Sequence, residues 1–180
     1  CYYSCPSLRR IGSGIRVKNK VNHVINLNFH KNRIKFWFNF TKNDQSMLEV
    51  GNSYEIEFSF TQEQVNDFCK ISGDFNPLHW DEAYAASTPF KKPIIHGALI
   101  ASVFSKVMGM EFPGEGSVYL KQVSEFKRPL FVENTYKARF EIISTNPAKH
   151  TAEISTQVFE LERGKLMVDG IASAMHADLF

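Results

Sequence analysis

ALIASVFSKVM, residues 98–108, is the one segment of this 180-residue chain that is apolar nearly all round, with Ser102, Ser105 and Lys106 as its polar positions. A helix of that kind has to be covered on most sides. Gly109 and Pro113 close it. Beyond them the sequence alternates at period two over residues 117–127, 135–144, 150–161 and 165–177, the pattern of long strands. The separators Lys127-Arg128-Pro129, Asn146-Pro147 and Arg163-Gly164 are turn-like and short, which predicts antiparallel neighbours. Upstream, residues 55–60 (EIEFSF) alternate in the same way. One buried helix and one curling antiparallel sheet make an α+β layer pair. No internal repeat and no second domain follow Met47.

The chain enters this helix through PFKKPIIHG, residues 89–97. A helix start presents backbone N–H groups without intrahelical partners to whatever lies in front of it. Before that comes GDFNPLHW, residues 73–80, with Asp74 and His79 five positions apart around Asn76-Pro77. Pro77 fixes its own φ and biases Asn76 away from helix, so a stiff turn is expected. A helix opening at Thr61, with Gln64 at the return position of a capping box, leads into this turn and ends at Gly73. Asp81 reads as the N-cap of a short helix through Ala86. Acid, imidazole and helix N-terminus together suit chemistry on a carbonyl compound.

Net charge is +2, but it is unevenly placed. Residues 1–46 carry nine Lys and Arg against the single acid Asp44, a net of +8, and residues 47–180 carry twelve basic and eighteen acidic residues, a net of −6. Three readings of the first part compete. It resembles an organelle transit peptide in charge, though it is rich in Asn. It could form a basic-aromatic hairpin over residues 25–38 that binds nucleic acid. Its Asn, Lys, Ile, Phe and Tyr are also what AT-rich upstream sequence gives when read through to Met47, and the expectation is that residues 1–46 stand outside the fold. Residues 47–180 then form one domain, whose net negative charge repels a phosphate backbone. Cys1 and Cys5 lack a second pair for zinc, and Cys69 sits on the apolar side of its helix, so no metal site is expected. Nothing approaches the roughly 18 apolar residues of a membrane span. A cytoplasmic location is expected, or an organelle matrix if the leader is a transit peptide.

GDFNPLHWDEAYA followed by FKKPIIHGALIAS resembles the hydratase motif of MaoC-like, R-specific enoyl-CoA hydratases, with the match extending through PGEGSVYL and FKRPLFVENTY. The resemblance implies a hot-dog fold, a sheet wrapped round one long helix, paired into a homodimer. It implies hydration of a trans-2-enoyl-CoA to the (R)-3-hydroxyacyl-CoA, with no cofactor beyond the coenzyme A carried by the substrate. Asp74 and His79 match the residues that handle the water. Either could take or deliver the proton near neutral pH. Gly97 would offer its N–H to the thioester oxygen, and the lack of a Cβ there would let substrate approach closely.

Other readings stand beside these. Alone, Asp74 and His79 would be a turn cap and a surface imidazole. Asn76 and Pro77 shape the turn. His96 is either a site residue or a tie between the helix start and a backbone carbonyl. Lys91-Lys92 and Lys127-Arg128 are solvated charges or hold coenzyme A phosphates. Helical spacing from Gly97 points to Ala101, Phe104, Ser105 and Met108 as the acyl pocket, closing it early enough to favour tails of about four to six carbons; against this, Phe104 could be ordinary core. Alternative functions are a dehydratase acting on acyl carrier protein thioesters, a hot-dog thioesterase, which would not need His79, and a non-catalytic acyl-CoA-binding subunit, which would tend to lose Asp74 or His79.

Overall fold

A computed structural model describes residues 47–180; the hairpin and leader expected within residues 1–46 lie outside the described residues. The chain runs β1 (Ser53–Phe58), α1 (Gln62–Ser72), a 3-10 turn (Pro77–His79), α2 (Glu82–Ser87) and α3 (Gly97–Met110), and then β2 (Val118–Phe126), β3 (Tyr136–Asn146), β4 (Thr151–Glu160) and β5 (Leu166–Met175). The strands form one antiparallel sheet in the order β1-β3-β4-β5-β2. This is the expected α+β arrangement, a hot-dog sheet around α3.

The order corrects one expectation. Lys127-Arg128-Pro129 does not turn a hairpin, because β2 pairs with β5 at the far edge, Phe126 opposite Val168. The chain from Phe126 to Tyr136 instead crosses three strand spacings, about 14 Å, well within the reach of an extended segment of that length. The β3-β4 and β4-β5 connections are hairpins as expected, with Ile142 opposite Ile154 and Ile154 opposite Ala172.

The core lies between α3 and the concave face of the sheet. Leu99, Ile100, Val103, Phe104, Val107 and Met108 form the buried face of α3, in one cluster with Phe140, Ile142, Ile154, Val158 and Val168. Phe104 meets Phe140 edge-on, with ring centroids 5.8 Å apart. Truncating a buried aromatic of this kind to Ala costs about 3–5 kcal/mol. The sequence led us to expect cover on most sides of α3, but Ala98, Ser102, Ser105 and Lys106 are exposed. A stripe at i, i+1, i+4 spacing suffices to anchor the helix, and the small residues opposite lose little by facing water.

Helix α1 delivers the chain to the site. Thr61 Oγ1 accepts from Gln64 N–H at 3.2 Å, and Gln64 Oε1 accepts from Thr61 N–H at 2.9 Å, the expected reciprocal cap. Gly73 ends the helix at φ 77°, a left-handed conformation that suits glycine, and its N–H donates to the Cys69 carbonyl at 2.9 Å.

Candidate active site

The turn after Gly73 is built by its own side chains. Asp74 Oδ1 accepts from the Asn76 N–H at 3.1 Å, and Asn76 Oδ1 accepts from the Leu78 N–H at 3.1 Å. Pro77 opens the single 3-10 turn that follows, and Gln62 of α1 donates to the His79 carbonyl at 2.9 Å. Asp81 then caps α2 by accepting from Tyr84 N–H at 2.9 Å. Apart from the Gln62 bond, each of these uses the short polar side chain of an Asp or Asn to hold a main-chain N–H.

The turn brings Asp74 and His79 together with His96, the residue before α3. Asp74 Oδ2 stands 4.0 Å from His79 Nε2 and 3.9 Å from His96 Nε2. The carboxylate side chain is about half exposed, and both imidazoles are largely covered. His79 donates from Nδ1 to the Ile94 carbonyl at 2.7 Å. A carbonyl can only accept, so the neutral His79 ring keeps its lone pair on Nε2, facing Asp74. His96 in turn donates from Nε2 to the main-chain carbonyl of Asp74 at 3.2 Å. The two rings stack at 3.6 Å between centroids, and Phe68 of α1 packs edge-on to His96.

Burial is the main cause that lowers the His96 pKa, with the charge of a protonated His79 adding to it and the Asp74 main chain and carboxylate opposing. The Cys69 thiol, 3.7 Å from His96 Nε2, is pushed up by burial and then by the Asp74 charge, so it is held as a thiol and joins the core. Asp74, His79 and His96 offer donor atoms within 4.8 Å of one another. A cation held by all three would have to take His96 Nε2 away from the Asp74 carbonyl.

His79 and Gly97 border a groove of about 350 Å³ that Phe90, Ile94, Ile95, Ile100, Phe126 and Leu130 also line, with Lys127 and Arg128 at its rim. Asp74 stands outside that lining and faces His79 Nε2. Gly97 is the first residue of α3, and the His96 side chain makes no cap bond to the helix, which leaves first-turn N–H groups free for a ligand. A Cβ on residue 97 would come within 2.9 Å of Phe126 Cζ. The ring of Phe126, from β2, therefore occupies the space that glycine leaves.

The acyl-pocket candidates are placed differently from one another. Phe104 and Met108 are fully buried in the core, Ser105 is exposed, and Ala101 is partly buried. None of the four lines the groove; Ile100, in the first turn of the face that also carries Phe104 and Met108, does. The spacing counted from Gly97 was helical, but Ala101 and Ser105 fall off the buried face, and Phe104 and Met108 lie on it one and two turns beyond the groove-lining Ile100. Phe126 and Ile94 were missed altogether. Phe126 sits in the quoted FKRP stretch, where its inward phase on β2 is the available signal; Ile94 contributes a main-chain carbonyl, which no side-chain pattern reports. Lys127 pairs with Glu125 at 2.8 Å, and Arg128 donates to the Leu166 carbonyl. Lys91 and Lys92 are exposed and do not line the groove.

Comparison with known proteins gives the family. The (R)-specific enoyl-CoA hydratase of Aeromonas caviae is 42% identical over 125 residues, 69% of this chain and 92% of that protein. The solved structure of the A. caviae (R)-hydratase involved in PHA biosynthesis superposes with a TM-score of 0.69 at 41% identity, covering 72% of this chain and 97% of the other. An unliganded R-hydratase of Pseudomonas aeruginosa gives 0.68 at 37% identity, covering 73% and 83%. Residues 45–162 match the model of the MaoC-like domain, and the chain belongs to that family.

Proposed function

We propose that this protein hydrates trans-2-enoyl-CoA to (R)-3-hydroxyacyl-CoA, reversibly, as a hydro-lyase. The observation that carries this reading is the meeting of Asp74 Oδ2 and His79 Nε2, 4.0 Å apart, beside a groove that runs past the first turn of α3. The names of the relatives at 42% and 41% identity support the substrate class and the R configuration.

The chemistry follows from the donor and acceptor assignments. His79 Nε2 carries the lone pair, so it takes a proton from a water whose other hydrogen is held by the Asp74 carboxylate. The water oxygen adds to C3, and the electron pair moves to the thioester oxygen. The Gly97 N–H at the helix start faces the charge that develops there; one such donor contributes about 3–4 kcal/mol to lowering a barrier. The imidazolium returns its proton to C2, which balances the addition of one water. No external cofactor enters, because coenzyme A arrives and leaves as part of the substrate.

The finer expectations belong to the same reading. The working unit is a homodimer: β2 is an edge strand with Val118, Leu120 and Val123 exposed, and an open edge of this kind is a template for a second copy. A mass in solution of one chain only would remove the dimer. Residues 1–46 are dispensable, and their deletion is expected to leave activity and melting temperature unchanged. Among the described residues no helix is long and apolar enough to cross a membrane; a cytoplasmic enzyme is the reading we adopt, to be checked by cell fractionation. The decisive assay for activity is loss of enoyl-thioester absorbance with crotonyl-CoA, and release of free thiol in its place would identify a thioesterase.

A further inference from the structure

We propose that His96 is a positioning residue that holds the Asp74 main chain through a fixed N–H donor, leaving His79 as the only imidazole of the pair that moves a proton. The proposal rests on the hydratase reading above and adds a division of labour between two stacked histidines.

The observations are geometric. His96 is 2% exposed. Its Nε2 lies 3.2 Å from the Asp74 carbonyl, which accepts only, so Nε2 carries a hydrogen. Its Nδ1 is buried with no hydrogen-bond partner. Protonating the ring would put a second N–H on Nδ1, pointing at nothing and away from water, which is costly. A cation there would also face a protonated His79 across 3.6 Å of stacked rings. The other titratable groups that face His96 are Asp74, 3.9 Å away, and the Cys69 thiol of α1. Asp74 favours the cation, but its carboxylate is about half exposed and so partly screened.

His96 thus stays neutral and donates in one direction. The bond it makes joins the residue before α3, which sets Gly97, to the residue that carries the carboxylate. The two ends of the site, oxyanion donor and water-holding acid, are thereby kept in one frame. His79, with Nδ1 committed to Ile94 and Nε2 open, keeps the lone pair free to accept a proton.

The test uses the full chain, crotonyl-CoA and two variants. His96→Gln can place an amide N–H close to the Nε2 position, while His96→Phe keeps a flat ring against His79 and has no donor. The glutamine variant is expected to retain kcat within about threefold, and the phenylalanine variant to lose roughly tenfold to a hundredfold in kcat with KM little changed, the scale of a misplaced reacting group. The acid limb of the pH profile is expected to stay in place in His96→Gln. If the phenylalanine variant does not fold, His96→Asn, whose amide falls short of the Asp74 carbonyl, replaces it with the same expectation. Equal loss in the donor-bearing and donor-less variants, or full activity in both, would overturn the proposal. So would a displaced acid limb in His96→Gln, which would make His96 a titrating participant. A wild-type enzyme with no hydratase activity would instead sink the functional reading on which the proposal rests.

Discussion

The ring of Phe126 packs against Gly97 so closely that its Cζ would stand 2.9 Å from a Cβ on that residue. Glycine at the start of α3 therefore leaves the room against which this ring packs. A strand at the sheet edge and a helix N-terminus meet at this point, and the groove beside His79 runs between them.

Gly97→Ala should accordingly lower kcat/KM by at least about tenfold, because the new methyl displaces the ring that lines the groove beside the donor, and small misplacements at a reacting centre are costly. Stability should change little: Phe126 is about half exposed and can swing away, and Ala favours helix over Gly by up to about 1 kcal/mol. Adding Phe126→Ala should recover part of the loss if the clash is its cause. Wild-type kinetics in Gly97→Ala would mean that the first turn of α3 does not face substrate.

Asp74→Asn and His79→Ala should each reduce kcat by at least about a hundredfold, the usual scale of a positioned acid or base. KM should move little if the pair acts in the transition state. In the proposed mechanism both side chains handle one water, so the double variant should be hardly worse than either single one. Additive losses across the double-mutant cycle would show that they act on separate steps.

The tail of the substrate should be felt by Ile100 and not by Met108. Both are buried in the core, but Ile100 lines the groove and Met108, two turns further along α3, does not. Ile100→Ala should shift the ratio of kcat/KM for eight-carbon over four-carbon enoyl-CoA upward, within about 1–3 kcal/mol of discrimination. Met108→Ala should cost about 2–5 kcal/mol of stability and leave that ratio alone. A changed chain-length profile in Met108→Ala with an unaltered melting temperature would place Met108 in the pocket after all.

These contrasts show what was legible in the sequence and what was not. The stiff turn around Asn76-Pro77 and the cap of α1 could be read because their bonds are local: Asp74 to Asn76 and Asn76 to Leu78 in the turn, Thr61 to Gln64 in the cap. The strands could be read from period two, but their order could not. Nothing in residues 127–135 says that the chain crosses to β3 and leaves β2 to pair with β5. How far the groove runs along α3 is likewise a tertiary matter, which is why Ile100 in the first turn borders it and Phe104 and Met108, further along the same buried face, lie only in the core. His96 was left open between two roles because its partner is a main-chain carbonyl 22 residues away.

Acid should destabilise the fold through His96. Its folded-state pKa lies below the ordinary imidazole value, chiefly through burial. As pH falls through the unfolded value, near 6.5, the unfolded chain takes up a proton that the folded chain refuses, so stability is lost in that direction. The contribution is fully present above that pH. Thermal melts should therefore decline as the buffer is taken from neutral to mildly acidic, and His96→Gln should flatten the decline. An equally steep decline in the variant would assign the acid sensitivity to other groups.

The most direct measurement is the reaction itself: crotonyl-CoA followed at the enoyl-thioester absorbance band, with chiral analysis of the product. The account predicts loss of the band without release of thiol, an R-configured 3-hydroxybutyryl-CoA, and near-complete dependence on His79. An S product, or thiol release with the double bond intact, would contradict it.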